Sequence, residues 1–496
     1  MSDISSLLEG TTPDDLGPID LDKLVRRGRR RRVRRRAVLV STTALTMVAI
    51  GVTGLSLVAT DDGRPDVVVP AVGPDGRPLS EPVGSWSQAD DPPFSPRTGA
   101  FGGALSDGRV VVWGGHADEG DTDDGADAVP TGFADGGVFD PETGTWEPIP
   151  AAPVPAPTTG GASVTSVQFV DDRLAVVTGS ADGGVHAAVY DVAEGRWIAA
   201  PSQVDIRLVY DAMGWDGETL VLVRTRPGEL GWAGDGRLDW RVDRPITLRW
   251  RVGDEGWTTG ASVPFGLRDF VGAAFDGSRL ALWGGSDGSS TPADGAVYDV
   301  GSDSWTVIPA GPLPGRFHPA TAWEGGRLVV GGGVDRLNDA GEYLGDVAAY
   351  APLTGTWDTL PRLPEGGLAD PQSTWRYVQG EGSLLLGDTT GGSGEPEPRW
   401  YYESGTWEQA PLGGVMKLGE FTVATLGDRA NYGSVPYEVR VGVGPDEWLD
   451  AAEAPFDSRM GATAVTTPES VLVVVGGGEG ADRELRDDTW VFDLTG

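Results

Sequence analysis

The sequence predicts an all-β fold in which four-stranded units repeat and close into a propeller behind a single membrane-spanning helix. Eight units are favoured, with seven as the alternative if 411–452 is an insertion. Three observations predict this. A module marked by tryptophan and paired glycines recurs along most of the chain. The 496 residues include 76 glycines and 37 prolines, a turn-residue density that suits many short strands rather than long helices. Residues 37–59 form an uncharged, mostly apolar run directly after a block of arginines.

Residues 1–36 carry Lys23 and nine arginines against six acids, a net of +4. The run 37–59 that follows has 23 residues, about 34 Å as a helix, which is enough for a hydrocarbon core of about 30 Å. It exceeds the 7–15 residues of a signal-peptide core, and neither Ala59 nor Thr60 completes a small-x-small cleavage site. An uncleaved anchor is therefore expected. Arginine on one flank and Asp61-Asp62 on the other place the N-terminus in the cytoplasm and residues 60–496 outside. Residues 60–82 read as a tether rich in Gly, Pro and Asp.

The repeat begins near residue 83. From Trp86 to Arg97 the chain advances 11 residues, and from Arg97 to Gly114 a further 17. The same two steps run from Trp448 to Arg459 and on to Gly476. The 11-residue step recurs from Trp257 to Arg268 and from Trp305 to Arg316, and is 10 from Trp197 to Arg207. Each unit has a first apolar strand and a turn such as Asp107-Gly108 or Asp276-Gly277. A second apolar strand often ends in paired glycines (Gly114-Gly115, Gly284-Gly285, Gly331-Gly332). The third strand carries an aromatic–acid pair (Phe139-Asp140, Tyr190-Asp191, Tyr298-Asp299, Phe492-Asp493), and the fourth opens with Trp. Trp86, Trp146, Trp197, Trp257, Trp305, Trp357, Trp407 and Trp448 mark eight such units.

The last unit stops after Phe492-Asp493-Leu494, where the others continue into their Trp strand. The missing strand stands at the other end, at Gly84-Ser85-Trp86, so the two ends are expected to pair and remove the open sheet edge. Over 83–496 this pattern resembles the kelch repeat family of the galactose oxidase-like propeller superfamily. The resemblance implies blades stacked radially, with Trp and Tyr filling the wedges between them.

Composition bounds the function. The chain outside the tail holds 28 basic and 68 acidic residues, a net of −40, which argues against nucleic acid as a partner. Without cysteine there is no disulfide, no thiolate metal site and no Cys–Tyr copper centre of the galactose oxidase kind. The preference for arginine, with Lys23 and Lys417 the only lysines, points to a GC-rich bacterial source.

Candidate site residues are few. Arg97, Arg207, Arg268, Arg316 and Arg459 occupy one repeating position. They would either converge on one face as a binding ring for carboxylate- or phosphate-like groups, or pair with neighbouring carboxylates. Trp232 and Trp240, with Trp250, lie in a long insertion of the 202–258 unit, as contacts for sugar or protein or as packing. Asp121, Asp123, Asp124 and Asp127 could hold calcium or form a solvated loop; they lack the full EF-hand spacing. His116, His186 and His318 fall in different units without metal-ligand spacing and read as structural or surface residues.

No catalytic residue and no cofactor are expected. The function expected is a membrane-anchored recognition or scaffold module, its propeller face meeting a protein or a cell-envelope glycan. The alternatives are a propeller hydrolase or lyase of envelope polysaccharide, and a transmembrane regulator similar to anti-sigma proteins.

Overall fold

The computed structural model describes residues 82–494 apart from several loops, chiefly 118–131, 157–164, 180–184, 202–211, 226–244, 336–343, 364–375, 378–383, 387–398, 427–436 and 480–483. Residues 1–81, with the basic tail and the expected anchor at 37–59, lie outside the described residues. Among the described residues, no helix is long and apolar enough to cross a membrane.

The fold is all-β and propeller-like. Eight antiparallel four-stranded sheets and one three-stranded sheet repeat along the described residues. In the first complete unit the strands are Phe101–Ala104, Val110–Trp113, Gly136–Asp140 and Thr145–Ile149, paired in chain order. The stretch with the weakest repeat signal also forms a four-stranded sheet, from Gly414–Leu418, Phe421–Leu426, Glu438–Gly444 and Glu447–Asp450.

The second strand explains why sheet stacks on sheet. Val110–Trp113 is apolar at every position, and both of its faces are covered. Val111 and Trp113 pack with Leu174 and Val176 of the next sheet, while Val110 and Val112 pack with Val473 and Val475 of the last. The same division separates Leu220 and Leu222 from Val221 and Val223, and Leu280 and Leu282 from Ala281 and Trp283. Shared cores of this kind join seven sheets in succession, from the 414–450 unit through the chain-end sheet to the 320–360 unit.

The aromatic–acid pair and the Trp of the repeat turn out to be cross-strand neighbours. Phe139 lies opposite Trp146, Tyr190 opposite Trp197, Tyr298 opposite Trp305 and Tyr350 opposite Trp357. Their ring centroids are 5.0–5.3 Å apart, the distance at which tilted aromatic pairs attract. Trp250 occupies the same third-strand position, opposite Leu220, and is buried in strand Ile246–Arg251. It is therefore packed, one of the two readings given for the insertion's tryptophans, but from within a strand and not from a loop. The other two, Trp232 and Trp240, lie outside the described residues.

The first and last strands of the described residues pair. Strand Ser85–Gln88 runs antiparallel to Thr489–Asp493, with Ser85 opposite Asp493 and Trp86 opposite Phe492. This sheet is completed by Val471–Val475 and Thr463–Thr466.

In two units close backbone approach fixes the first residue of the third strand as glycine. A Cβ on Gly136 would stand 2.1 Å from the Val112 carbonyl oxygen, and one on Gly295 would stand 2.2 Å from that of Leu282. Backbone cannot yield as a flexible side chain does. Gly136→Ala is expected to destabilise by about 2–3 kcal/mol, measured as a lower urea midpoint by circular dichroism.

Candidate functional site

One end of the propeller-like stack carries the loops that lead into each first strand and those that join second to third strands. A repeated clamp holds them together. The Gly pair after the second strand turns left-handed in four units, at Gly114-Gly115, Gly284-Gly285, Gly332-Gly333 and Gly476-Gly477, with φ between 60° and 94°. Only glycine adopts two such residues without strain. The turn aims the first glycine's carbonyl at the repeating arginine. Nη1 of Arg97 donates to Gly114 O at 2.9 Å, that of Arg316 to Gly332 O at 2.9 Å, and that of Arg268 to Gly284 O at 3.3 Å. Arg459 reaches Gly476 O at 3.4 Å.

Each guanidinium also meets an aspartate that stands one residue before the third strand. The pairs are Arg97–Asp135 at 3.0 Å, Arg268–Asp294 at 2.8 Å, Arg316–Asp346 at 2.9 Å and Arg459–Asp488. Aromatic rings cover all four cations: Phe94, Phe265 and Phe456 are centred 4.2–4.8 Å from the guanidinium carbon of Arg97, Arg268 and Arg459, and Trp283 lies 5.8 Å from that of Arg316. The arginines are 0–6% exposed. Burial lowers the pKa of Arg97, Arg268 and Arg316, and their aspartates oppose that shift.

Of the two readings of the arginine ring, the four described members therefore follow the structural one: they hold the loops of their own units. Arg207 lies outside the described residues, as does the acidic loop 121–127. The sequence reading missed the partners Asp135, Asp294, Asp346 and Asp488. Their signal was a constant offset of one residue before the third strand.

One clamp is tuned to acid. Burial works to raise the Asp488 carboxyl, but hydrogen bonds from Arg459 and from the Trp490 indole outweigh it and hold it below the ordinary carboxylate range. A carboxyl lowered by folding adds stability above its unfolded value of about 3.9 and loses it as pH falls through the lower folded value. Stability is expected to decline from about pH 4 downward. Asp488→Asn should flatten that decline in urea midpoints taken across the range.

Beyond the clamps the loops pair briefly, Thr98 with His116, Asp269 with Ser286, Phe317 with Val334 and Met460 with Gly478. His116 Nε2 is 3.2 Å from Thr98 Oγ1, but Thr98 is buried, so its hydroxyl is screened from any substrate. The residue two places after each clamp arginine is left-handed. It is Gly99 and Gly461 in two units, with φ of 63° and 64°, but Phe270 and His318 in the other two, with φ of 56° and 50°. A side chain there costs about 1–2 kcal/mol, and such strain gathers at functional positions.

Phe270 and His318 meet Phe317. Ring centroids are 4.5 Å apart for Phe270–Phe317, 4.3 Å for Phe270–His318 and 4.6 Å for Phe317–His318. Both phenylalanines are half-buried and His318 is exposed. Thr291 Oγ1 donates to Asp335 O at 3.1 Å, joining the loops of the two neighbouring units beside the cluster. Asp269, Asp287 and Asp335 stand in these same loops, each within one residue of a pairing position. Burial works to raise the Asp287 carboxyl, but backbone and hydroxyl donors of Ser289 and Ser290 prevail and lower it to about 2. The result is a cluster of three aromatic rings contributed by the loops of two units. His318 was singled out in the sequence as a structural or surface histidine. Phe270 was missed, although the replacement of glycine at its position was a legible break in the repeat.

At the opposite end, Asp216, Glu218, Arg249, Arg251 and Asp254 line a shallow polar depression of about 310 Å³. Its cations are already paired, Arg251 with Glu218 at 2.5 Å and Arg249 with Asp303 at 3.2 Å. Among the described residues no group of three His, Asp or Glu is placed to hold a metal ion. No protein-family model matches the chain, and no curated protein does.

Proposed function

We propose that the chain is an eight-bladed kelch-like propeller, anchored by residues 37–59 with residues 60–496 outside the cytoplasm, that recognises or scaffolds a protein or glycan of the cell envelope through its loop-bearing end. The observation that carries this reading is the contrast between a constant frame and variable contents. The same Arg–Gly–Asp clamp recurs in four units, yet what it presents differs, from Gly99 and Gly461 to Phe270 and His318. The connection from Trp113 to Gly136 is twice as long as that from Trp283 to Gly295. A rigid scaffold bearing unequal loops is the usual arrangement of a recognition surface.

Two measurements test it. The chain lacks cysteine, so single cysteines report topology cleanly. Thr60→Cys should react with a membrane-impermeant maleimide on intact cells, whereas Ser5→Cys should react only after lysis; the opposite pattern overturns the orientation. Crosslinking on intact cells followed by purification of the chain should enrich a defined protein or glycan. Enrichment of neither overturns the recognition role.

A further inference from the structure

We infer that the hollow between the 212–259 unit and the unit after it is a binding site for one ring of a neutral sugar. It lies at the end of the stack opposite the loop-bearing one, so it stands apart from the recognition surface proposed above and does not depend on it.

The hollow exists because one position departs from the repeat. Arg173, Arg279 and Arg327 each open a second strand. Arg173 and Arg279 lie opposite the acids that end their third strands, Asp191 and Asp299, and both reach across to the next unit. Arg173 bonds Asp191 at 3.0 Å and Gly217 O at 3.0 Å, while Arg279 covers the Trp323 ring at 4.4 Å. In the 212–259 unit Thr219 opens the second strand, and Arg251 stands opposite it where the sister units have an acid. Thr219 shares the face of Val221 and Val223, which pack on the next unit. A threonine is too short to cross that boundary. What is left is a hollow of about 310 Å³, bounded on the far side by Val300 and Gly301.

Its walls are held in place, yet they keep hydrogen-bonding capacity. Asp216 Oδ1 accepts from the backbone of Glu218 and Thr219 at 2.9 and 2.6 Å. Arg249 donates to Val300 O at 2.8 Å and meets Asp303 at 3.2 Å. Arg251 gives Nη2 to Glu218 Oε1 at 2.5 Å. These bonds leave the second oxygens of Asp216 and Glu218 as acceptors and the rest of the exposed Arg251 guanidinium as a donor. Asp254 acts on Arg251 through its charge alone, so its carboxylate is a further acceptor.

That mixture suits a sugar. Each hydroxyl both donates and accepts, so neighbouring hydroxyls use carboxylate and guanidinium together, and hydrogen bonds to charged groups are the stronger kind. An anion meets three carboxylates, and a cation meets two guanidiniums that already hold carboxylates. Walls fixed in advance receive a ligand without first being ordered. A volume of about 310 Å³ stands at the small end of ligand sites, room for one ring rather than a chain.

Saturation-transfer nuclear magnetic resonance of the full-length chain provides the test. The probes are the methyl glycosides of glucose, galactose, mannose and N-acetylglucosamine; spermidine and succinate are the cationic and anionic controls. At least one glycoside should bind saturably, and more tightly than either control. Asp254→Ala should weaken it about tenfold or more, the loss of one hydrogen bond to a charged acceptor. Thr219→Arg combined with Arg251→Asp rebuilds the pair that the sister units carry and fills the hollow. That double variant should keep the thermal midpoint and bind no glycoside. Asp254 is exposed, so Asp254→Ala folds and decides the matter where the double variant is unstable.

Saturable binding by none of the four glycosides would overturn the inference. So would tighter binding of spermidine or succinate, or a glycoside signal that survives undiminished in Asp254→Ala or in a folded double variant, because that sugar then sits elsewhere. The recognition reading fails separately, by the crosslinking experiment above, and its failure leaves this site standing.

Discussion

Trp86→Ala is expected to destabilise the protein by about 3 kcal/mol, the largest effect of any single aromatic truncation at the fourth-strand position. Trp86 sits where the two ends of the described fold meet. Its ring meets Tyr437 and Phe456 edge-on, with centroids 6.1 and 5.2 Å away, and lies tilted against Phe492 at 5.1 Å. Its indole N–H donates to Ala452 O at 2.9 Å. The residues beside it complete the joint. Val83 exchanges backbone hydrogen bonds with Asp450 and Ala452 of the preceding sheet, while Ser85–Gln88 pairs with Thr489–Asp493. One short segment therefore links two sheets, and truncating its anchor loosens both. Urea denaturation followed by tryptophan fluorescence and circular dichroism measures the loss. Trp357→Ala, in a sheet whose four strands are consecutive in the chain, should cost less. Equal costs would show that the joint has no special weight. Removing residues 83–88 altogether should expose the edge of Thr489–Asp493 and produce aggregation, read by light scattering.

Asp346→Leu is expected to destabilise by about 3–5 kcal/mol, because it strands a guanidinium that is wholly buried. Arg316 is 0% exposed, and Asp346 is its only carboxylate partner among the described residues. Arg316→Met removes the charge instead. It leaves Asp346 partly open to water but deprives the carbonyls of Pro314, Gly332 and Asp346 of a donor, at a cost of about 1–3 kcal/mol for each buried acceptor. Combining the two substitutions should recover part of the Asp346→Leu loss, since no buried charge then remains unpaired. It should not recover all of it, because the three carbonyls still lack the guanidinium donor. A double mutant that equals the sum of the singles would mean that the pair carries no coupling.

The repeat was legible because each unit solves the same packing problem with the same residues. The aromatic of the third strand and the Trp of the fourth are nearest cross-strand neighbours, so their spacing is dictated by a short hairpin such as Asp140 to Thr145. The Trp-to-Arg step was legible for a similar reason, since it spans one passage from fourth strand to clamp. The pairing of Ser85–Gln88 with Thr489–Asp493 could be read from the unit that stopped one strand short.

The strand position of Trp250 was hidden because a long insertion separates it from its second strand. Chain distance concealed that Leu220 lies opposite it, as Leu280 lies opposite Tyr298. The candidate site was half legible. The repeating arginines were visible, but whether they face solvent or their own loops depends on side-chain direction, which spacing does not encode. The structure turns Arg97, Arg268, Arg316 and Arg459 inward onto glycine carbonyls and aspartates.

By itself, the sequence determined the unit, its strand order and the residues that pack each sheet against the next, since these follow from local periodicity repeated many times. Only the tertiary structure decided what the loop-bearing end presents. Phe270 belongs to one unit, and Phe317 and His318 to another. They meet because stacking brings neighbouring sheets together at a distance that no spacing along the chain records.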